Sequence, residues 1–551
     1  MTTDKSRALL VGLLVGVLAV ALGLGYGVRA GHAAASRTDA AVVVARPAAE
    51  DEETSTADHT KFEELQRAFA NATEVTQACL ECHTEAAKQV MASTHWTWEF
   101  PGGEEGETWG KRHVINNFCV AVTSNWPRCT SCHVGYGWKD DTFFDTATEA
   151  QVDCLVCHDT TGTYKKFPAG AGHPAYEPKE FPPGSGKIWE PPDLTTIAQN
   201  VGRPGNTNCG ACHFYGGGGD AVKHGDLDST LAAPPKEVDV HLSPEGAGLA
   251  CADCHKTEGH QVPGSRYAAT AKDTHGKDLP VSDDNPTTCE SCHGLAPMKN
   301  PKLNDHVDKV ACQTCHIPAF ARGDKPTKMW WDWSKAGDKN RGDHGVEKDE
   351  NGWVVYHYKK GEFVWEKNVV PTYLWYNGQT TYMVMGEKID PSGEVYINHP
   401  QGGPDDPNAR IYPFKVFRGK QGYDPVNQTL LVPHLFPFNK EDTTAYWKGF
   451  DWGTAFEVGM KTAGLPYSGQ YDWIETTMYW PITHMVAPAE QALSCNACHQ
   501  PNGRLAEVPG VYIPGQSGHP TLDAIGWSLS GLALLGVVVH AGLRVVNRKR
   551  A

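Results

Sequence analysis

Cysteine and histidine are the residues whose spacing most clearly predicts chemistry in this 551-residue chain. Sixteen of the 17 cysteines form eight Cys-x-x-Cys pairs, and a histidine directly follows every pair. Both thiols of such a pair can add to the vinyl groups of one porphyrin, and the adjacent histidine can bind its iron. Zinc ribbons and redox dithiols also use Cys-x-x-Cys pairs, but neither needs histidine at the next position. The pattern therefore predicts eight covalently bound c-type haems.

The predicted haem ligands follow directly from these motifs. The attachment cysteines are Cys79, Cys82, Cys129, Cys132, Cys154, Cys157, Cys209, Cys212, Cys251, Cys254, Cys289, Cys292, Cys312, Cys315, Cys495 and Cys498. The proximal iron ligands are His83, His133, His158, His213, His255, His293, His316 and His499.

The close spacing of the motifs predicts the fold class. Seven of the eight motifs lie within residues 79–316, so their porphyrins must be near neighbours and must supply much of the core. Such a region does not need extensive regular secondary structure. We expect a multihaem cytochrome c built mainly from short α-helices and irregular loops, with the haem domain extending over residues 61–505.

The segment between the seventh and eighth motifs has a different composition. Residues 317–494 contain no cysteine but hold 10 of the 17 tryptophans and 12 of the 19 tyrosines. The alternation predicts β-hairpins over residues 352–365 and 373–384, the second turning at Asn377-Gly378. A helix is expected over residues 451–463. We expect the aromatic side chains to pack against porphyrin edges, with a carbohydrate- or base-stacking surface as the alternative.

Composition excludes some classes of protein. Acidic residues exceed basic ones by 65 to 49, which gives a formal net charge of −16. No basic stripe offsets this charge, so a nucleic-acid partner is not expected. The hydrophobic fraction of 40% fits a packed globular protein.

Both ends of the chain predict a membrane-associated protein. Lys5 and Arg7 precede an apolar run over residues 8–28, so residues 1–35 are interpreted as a signal peptide or an uncleaved N-terminal anchor. Residues 36–60 are expected to be a flexible tether. A second apolar stretch, Ile525–Leu543, is followed by arginine and lysine and predicts a transmembrane helix over residues 522–546.

The basic flank of this second stretch predicts its orientation. Positive residues mark the cytoplasmic side, which places the C-terminus in the cytoplasm and the haem domain in the bacterial periplasm, at the inner membrane. His540 lies within the predicted span. It could contact a quinone or a haem, but a role in helix packing is the simpler interpretation.

The remaining histidines decide between catalysis and conduction. If every iron had two histidine ligands, no iron could bind a substrate and the protein would only conduct electrons. A surface histidine is the alternative at each position, and His399 is a reserve candidate. The predicted distal ligands are His95, His173, His224, His241, His260, His275, His306 and His484.

Several motifs resemble one family. They are Asn125-Trp126-Pro127-Arg128-Cys129, the stretch from Val152 to Lys166, Asn208 to Phe214 and Val222 to Asp226. Together with eight motifs in this order, they resemble the octahaem tetrathionate reductase family over residues 60–505. Both predicted membrane segments lie outside this resemblance.

The resemblance implies a reactive second haem, attached at Cys129 and Cys132, whose iron has a lysine nitrogen in place of a distal histidine. The matching residue is Lys166 or Lys165, with a slight preference for Lys166, and Lys139 is a third candidate. A bound amine must be unprotonated. Cys119, the unpaired cysteine, could attack or hold a sulfur–sulfur bond near this haem, or it could be a buried inert thiol.

The expected reaction is the two-electron reduction of tetrathionate to two thiosulfates, with Lys111, Arg112 and Arg128 receiving the dianion. Nitrite or hydroxylamine reduction is an alternative, as is the oxidative direction of the sulfur chemistry. A non-catalytic electron conduit is the alternative of a different class. The expected electron donor is a membrane or periplasmic protein such as a quinol-linked cytochrome.

Overall fold

Short helices carry the Cys-x-x-Cys-His motifs, and strands dominate the cysteine-free segment after the seventh motif. The computed structural model describes residues 57–101, 107–267, 287–513 and 517–548. The predicted signal peptide, most of the predicted tether and His275 lie outside the described residues.

Most of the helices have only one or two turns, as expected for this class. A helix of one turn is enough for a Cys-x-x-Cys pair, because residues three positions apart share a helix face. The α-helices are Ala72–Leu80, Ala86–Met91, Thr94–Thr97, Trp126–Cys129, Phe143–Thr146, Leu155–His158, Leu194–Gln199, Asn206–His213, Cys251–Cys254, Cys289–His293, Pro301–Asn304, Cys312–His316, Tyr446–Gly449, Trp452–Thr462, Cys495–Cys498 and Pro520–Arg548.

The strands are concentrated in the aromatic segment. They are Phe100–Pro101, Thr108–Trp109, Lys179–Glu180, Ile188–Trp189, Thr327–Asp332, Val346–Lys348, Val354–His357, Gly361–Glu366, Thr372–Tyr376, Thr380–Tyr382, Val395–Tyr396, Asn398–Pro400, Arg410–Asp424, Thr429–Leu430 and Asp472–Pro481.

Nine of these strands form one mixed sheet, which we call the central sheet. The 15-residue strand Arg410–Asp424 organises it. This strand pairs antiparallel with Asp472–Pro481 from Phe414 opposite Pro481 to Tyr423 opposite Asp472. On its other edge it pairs in parallel with Thr327–Asp332. The long strand is buried along nearly its whole length, which explains its lack of apolar–polar alternation.

One of the two predicted hairpins is confirmed and the other is wrong. Val354–His357 pairs antiparallel with Gly361–Glu366, as the first prediction requires. The two strands of the second predicted hairpin do not pair with each other. Thr372–Tyr376 pairs with the long strand, and Thr380–Tyr382 pairs with Asn398–Pro400. The buried long strand therefore offers Thr372–Tyr376 a better partner than a hairpin closed at Asn377-Gly378.

The predicted helix of the aromatic segment is confirmed. It extends over Trp452–Thr462, and the side chain of Asp451 accepts a hydrogen bond from the Thr454 backbone N–H at its start. Gly464, just past its end, has φ +67°, a left-handed conformation that favours glycine. Trp452 stacks on Tyr446 with ring centroids 3.6 Å apart. Part of the aromatic set therefore packs on itself, which the sequence did not predict.

A buried ion pair connects the sixth motif to the central sheet. Arg410, the first residue of the long strand, donates to Glu290 at 2.6 Å. Their side chains are only 2% and 6% exposed. The seventh motif joins the same strand, because Thr314 donates to the carbonyl of Ile411 at 2.8 Å. The sheet thereby fixes two attachment helices.

The C-terminal helix Pro520–Arg548 includes the predicted membrane span. Among the described residues, it is the helix whose length and composition would allow it to cross a membrane, with a mean hydropathy of 1.9 over Pro520–Asn547. Its apolar side chains, including Leu534 and Val538, are exposed.

Candidate haem-binding and catalytic site

Six of the eight motif histidines face a second histidine. A metal–imidazole bond is about 2 Å long, so two imidazoles on opposite sides of one metal ion have ring centroids about 6 Å apart. The observed spacings match this value, and the histidine pairs therefore fit an iron between them. The pairs are His59–His83 at 6.4 Å, His95–His213 at 6.2 Å, His158–His260 at 6.4 Å, His241–His293 at 6.1 Å, His255–His484 at 6.4 Å and His306–His499 at 5.9 Å.

Hydrogen bonds orient several of these rings. His158 Nδ1 lies 2.8 Å from the carbonyl oxygen of Gly202, and His255 Nδ1 lies 2.9 Å from that of Pro263. A ring that donates from Nδ1 keeps Nε2 unprotonated and available to a metal. The side chain of Asp226 plays the corresponding part for His484, whose Nδ1 lies 3.1 Å from its carboxylate.

The structure places the predicted distal histidines in two groups. His95, His241, His260, His306 and His484 face a motif histidine in the pairs given above. His173 instead stacks on Tyr136 at 5.1 Å, and His224 packs on Trp480 at 4.9 Å. The reserve candidate His399 packs on Tyr396 at 5.1 Å.

The sequence prediction omitted one histidine that faces a motif histidine. His59 lies opposite His83, although the sequence analysis assigned it to the tether. The signal was Asp58, whose side chain accepts from the Thr60 backbone N–H and starts a helical turn. In the part of the chain that the structure describes, no histidine ring faces His133 or His316.

Thiols of different motifs lie side by side. Pairs of neighbouring thiols that shift each other's pKa link the first motif to the third, the second to the fourth, the fourth to the fifth and the sixth to the seventh. The pairs are Cys79–Cys154, Cys132–Cys212, Cys209–Cys251 and Cys289–Cys312. The attachment points are therefore neighbours, as the sequence spacing required.

The second motif differs from the others in its surroundings. The His133 ring is completely buried and lies 5.1 Å from Trp96 and 4.8 Å from Trp138. Burial, assisted by Lys166 and Lys111, lowers the pKa of His133 to about 3. The ring is therefore neutral, which is the form that binds a metal. Its Nε2 lies 2.7 Å from the carbonyl oxygen of Trp96, so coordination through Nε2 requires this contact to open.

Lys166 is the predicted lysine that lies at the second motif. Its Nζ lies 3.0 Å from the Asp153 carboxylate, and it also donates to the backbone carbonyl of His133. Its side chain is 8% exposed, whereas Lys165 and Lys139 are exposed. Lys166 thus lies next to His133, a motif histidine that no second imidazole faces among the described residues. This position distinguishes Lys166 from Lys165 and Lys139.

A polar network holds the Asp153 carboxylate beside Lys166. Asp153 accepts hydrogen bonds from the hydroxyls of Tyr136 at 2.7 Å and Tyr164 at 3.0 Å. Its side chain is fully buried. A buried carboxylate of this kind needs hydrogen-bond donors, and the Lys166 amine is one of them.

Cys119 lies in a tight loop against the central sheet. The side-chain oxygen of Asn116 accepts from the backbone N–H groups of Cys119 and Val120, both at 2.9 Å. Asn117 donates to the carbonyl of Phe417 on the long strand at 2.8 Å. The half-buried thiol donates to the carbonyl of Gly217 at 3.4 Å. Its charged neighbours include Lys328 and Lys360.

The predicted anion-binding cations are not equivalent. Lys111 lies over the Trp98 ring at 4.1 Å, close to His133. Arg112 is paired with Glu99 at 2.7 Å, which weakens the attraction of Arg112 for an incoming anion. Arg128 donates to the carbonyl of Pro168 at 2.5 Å.

The loop before the second motif is held by residues from the aromatic segment. The Asn125 side-chain oxygen accepts from the backbone N–H groups of Leu435 and Phe436, at 2.7 and 3.0 Å. His434 is buried and lies 2.9 Å from the Ser124 hydroxyl and 2.7 Å from the Asp442 carboxylate. No local pattern pointed to His434, because the Ser124 hydroxyl that it contacts lies 310 residues earlier in the chain. Its other partner, the Asp442 carboxylate, lies 8 residues later.

These features define a haem-binding cytochrome, and comparison with known proteins specifies the class. Residues 328–502 match the family described as "Cytochrome c bacterial". The fold is similar to the crystal structure of an octaheme cytochrome c from Shewanella oneidensis, with a TM-score of 0.71 and 44% sequence identity. That match covers 84% of this chain and 99% of the other.

A more distant relative is an uncharacterised protein from Archaeoglobus fulgidus, which is 24% identical over 243 residues. The match covers 37% of this chain and 81% of that protein. The chain belongs to the octahaem c-type cytochromes. It is a redox protein with covalently bound haem c.

Proposed function

We propose that this chain carries eight haems c and is a periplasm-facing oxidoreductase that reduces tetrathionate to thiosulfate at the second haem, with Lys166 as iron ligand. One observation carries the proposal. Six motif histidines face a second imidazole, whereas His133 faces none among the described residues and has the buried Lys166 amine beside it. The proposed reaction consumes one tetrathionate and two electrons and releases two thiosulfates.

The chain's own residues have separate tasks in this proposal. Bound haems supply single electrons and an iron that can be approached by substrate. Asp153, held by Tyr136 and Tyr164, orients the Lys166 amine. The aromatic wall around His133 excludes water. Lys111 and Arg128 provide positive charge, which a chain of net charge −16 must concentrate locally to attract a dianion.

Cys119 is assigned a sulfur-binding role in this proposal. Cys119 is the cysteine that belongs to none of the eight motifs. Lys328 and Lys360 are among its charged neighbours. In this role the thiol contacts one sulfur of the substrate while the central sulfur–sulfur bond is cleaved.

The same geometry supports two other candidates. A nitrogen oxyanion such as nitrite would use the same cations, Lys111 and Arg128. A non-catalytic electron conduit is favoured by the thiol contacts that join neighbouring motifs. Its electron partner would be a membrane or periplasmic donor such as a quinol-linked cytochrome.

Anaerobic reoxidation of the reduced holoprotein tests the proposed reaction. Tetrathionate should reoxidise the haems and yield two thiosulfates for each tetrathionate consumed. Nitrite and hydroxylamine, added separately, serve as the matched comparison. Reoxidation by nitrite alone would transfer the assignment to nitrogen chemistry. A protein that none of the three reoxidises would be an electron conduit.

Membrane attachment through Pro520–Arg548 is a further part of the proposal. Removal of residues 518–551 is expected to release the haem domain from the bacterial membrane fraction into the soluble periplasmic fraction. The measurement is haem staining of the two fractions, with the full-length chain as control. A truncated protein that still sediments with membranes would show that another segment, such as residues 1–35, anchors it.

A further inference from the structure

Three nitrogen-bearing side chains surround the buried indole of Trp480. This residue lies at the end of the strand Asp472–Pro481 and is fully buried. Lys223 Nζ and Arg266 Cζ each lie 4.9 Å from its ring centroid. The ring of His224 lies 4.9 Å from it as well. Three half-buried, nitrogen-bearing side chains therefore lie around one buried indole.

Two donors of this group have no acceptor. Within the described residues, Arg266 NH1 and Trp480 Nε1 are buried without a hydrogen-bond partner. Buried polar groups are rarely left in this state, because an unpaired N–H group costs the protein its full desolvation free energy. The unpaired N–H groups therefore indicate a missing acceptor.

The charges of the group point to the same conclusion. The charged side chains that act on Lys223 are Arg266 and Lys111, both cationic, and the Cys132 thiol. Grouping like charges in the interior is unfavourable unless an anion compensates them.

Tyrosines hold the arginine in place. Arg266 donates from NH2 to the Tyr267 hydroxyl, and the Tyr382 hydroxyl donates to the Arg266 carbonyl at 2.9 Å. The Tyr267 and Tyr382 rings pack together at 4.7 Å. The guanidinium is therefore fixed on one side, while NH1 remains available on the other.

This donor group adjoins the proposed reaction site. Lys223 is influenced by Cys132, a haem-attachment cysteine of the second motif. Phe118, the neighbour of Cys119, packs on Trp480 at 6.1 Å. The donors thus lie close to both the second motif and the Cys119 loop.

We propose that Lys223, Arg266 and the Trp480 indole N–H form an oxyanion pocket that binds one sulfonate end of a dianionic sulfur substrate. The inference rests on the proposed function, because the substrate is the one assigned to the second haem. Arg266 NH1 is left unpaired by the contact of NH2 with Tyr267 and can donate to an oxyanion, and the Lys223 amine and the indole add donors from other directions. A haem propionate also presents anionic oxygen acceptors, so it is the other source of an anion for these donors.

Anion binding to the oxidised holoprotein tests this pocket without relying on turnover. The probe is thiosulfate, titrated calorimetrically into wild type, Arg266→Gln and Lys223→Gln. Each variant should bind thiosulfate about tenfold or more weakly, since each loses a charge-assisted contact. The matched control is Lys335→Gln, at an exposed lysine, which should bind as wild type does. Arg266→Lys keeps the charge and should fall between wild type and Arg266→Gln, which provides a result if Arg266→Gln does not fold.

The outcomes separate the two anion sources and the two proposals. Wild-type haem content with weakened thiosulfate binding supports the pocket. Unchanged binding together with shifted haem reduction potentials would assign these donors to a propionate and overturn the pocket. If wild type reduces tetrathionate and no variant alters binding or KM, the pocket is wrong while the proposed function stands. If the variants weaken binding but wild type does not reduce tetrathionate, the pocket stands and the proposed function fails.

Discussion

Replacement of Lys166 by alanine is expected to reduce tetrathionate turnover by about 100-fold or more, the scale of losing one positioned group at an active site. The variant loses the amine beside His133 and leaves the buried Asp153 carboxylate without one of its partners. The measurement is kcat/KM for tetrathionate with a reduced dye as donor. An electron paramagnetic resonance spectrum of the oxidised variant should show that one haem signal has changed.

Lys165→Ala is the matched control, because the neighbouring side chain is exposed. This variant should retain wild-type turnover and wild-type haem signals. A Lys166→Ala protein with unaltered spectrum and turnover would remove Lys166 from the site. Loss of both properties in Lys165→Ala alone would move the assignment to that residue.

The second large effect is expected on stability. Glu290→Ala should lower the free energy of unfolding by about 3–5 kcal/mol, the usual cost of breaking a buried ion pair from one side. Arg410 Nε and NH2 already have no acceptor among the described residues, so this change leaves a buried guanidinium without its carboxylate. Denaturant unfolding of the holoprotein, followed through the haem absorbance, gives the midpoint and slope for each variant.

An exposed ion pair provides the control for this stability effect. Glu85 and Lys88 are paired at 3.0 Å, with side chains 66% and 57% exposed. Glu85→Ala should therefore cost less than about 1 kcal/mol. The double change Glu290→Leu, Arg410→Met should regain much of the stability lost in Glu290→Ala, because it removes both charges. Equal midpoints for Glu290→Ala and Glu85→Ala would contradict the structural role of the buried pair.

Local patterns were predicted well from the sequence. The Cys-x-x-Cys-His motifs form short helices, since one turn suffices to place two thiols on a face. The helix predicted over residues 451–463 is observed at Trp452–Thr462, with the Asp451 side chain as its N-cap and Gly464 just past its end. The first hairpin depends on residues that are close in sequence, and it formed as predicted.

Features that depend on distant partners were not predicted. The Asn377-Gly378 dipeptide favours a hairpin locally, but pairing of Tyr376 with Arg410 on the long strand prevails. The long strand itself lacks the period-two pattern, because its residues are buried on both faces. Local propensity contains no information about such a partner.

The candidate site shows the same division. The attachment motifs could be predicted from their spacing alone. The histidines that face the motif histidines lie at irregular distances along the chain. His59 lies 24 residues before His83, and His484 lies 229 residues after His255, so no common spacing exists. The donor group around Trp480 combines Lys223, Arg266 and a strand of the central sheet. Only the fold brings these side chains together.

The central claim is that the second haem has a lysine ligand and is accessible to substrate. The most direct test is low-temperature electron paramagnetic resonance of the oxidised wild-type holoprotein, recorded with and without tetrathionate. We expect one haem signal distinct from the bis-histidine set, and we expect that signal alone to change when tetrathionate is added. Eight bis-histidine signals that do not respond to tetrathionate or nitrite would contradict the claim and identify the protein as an electron conduit.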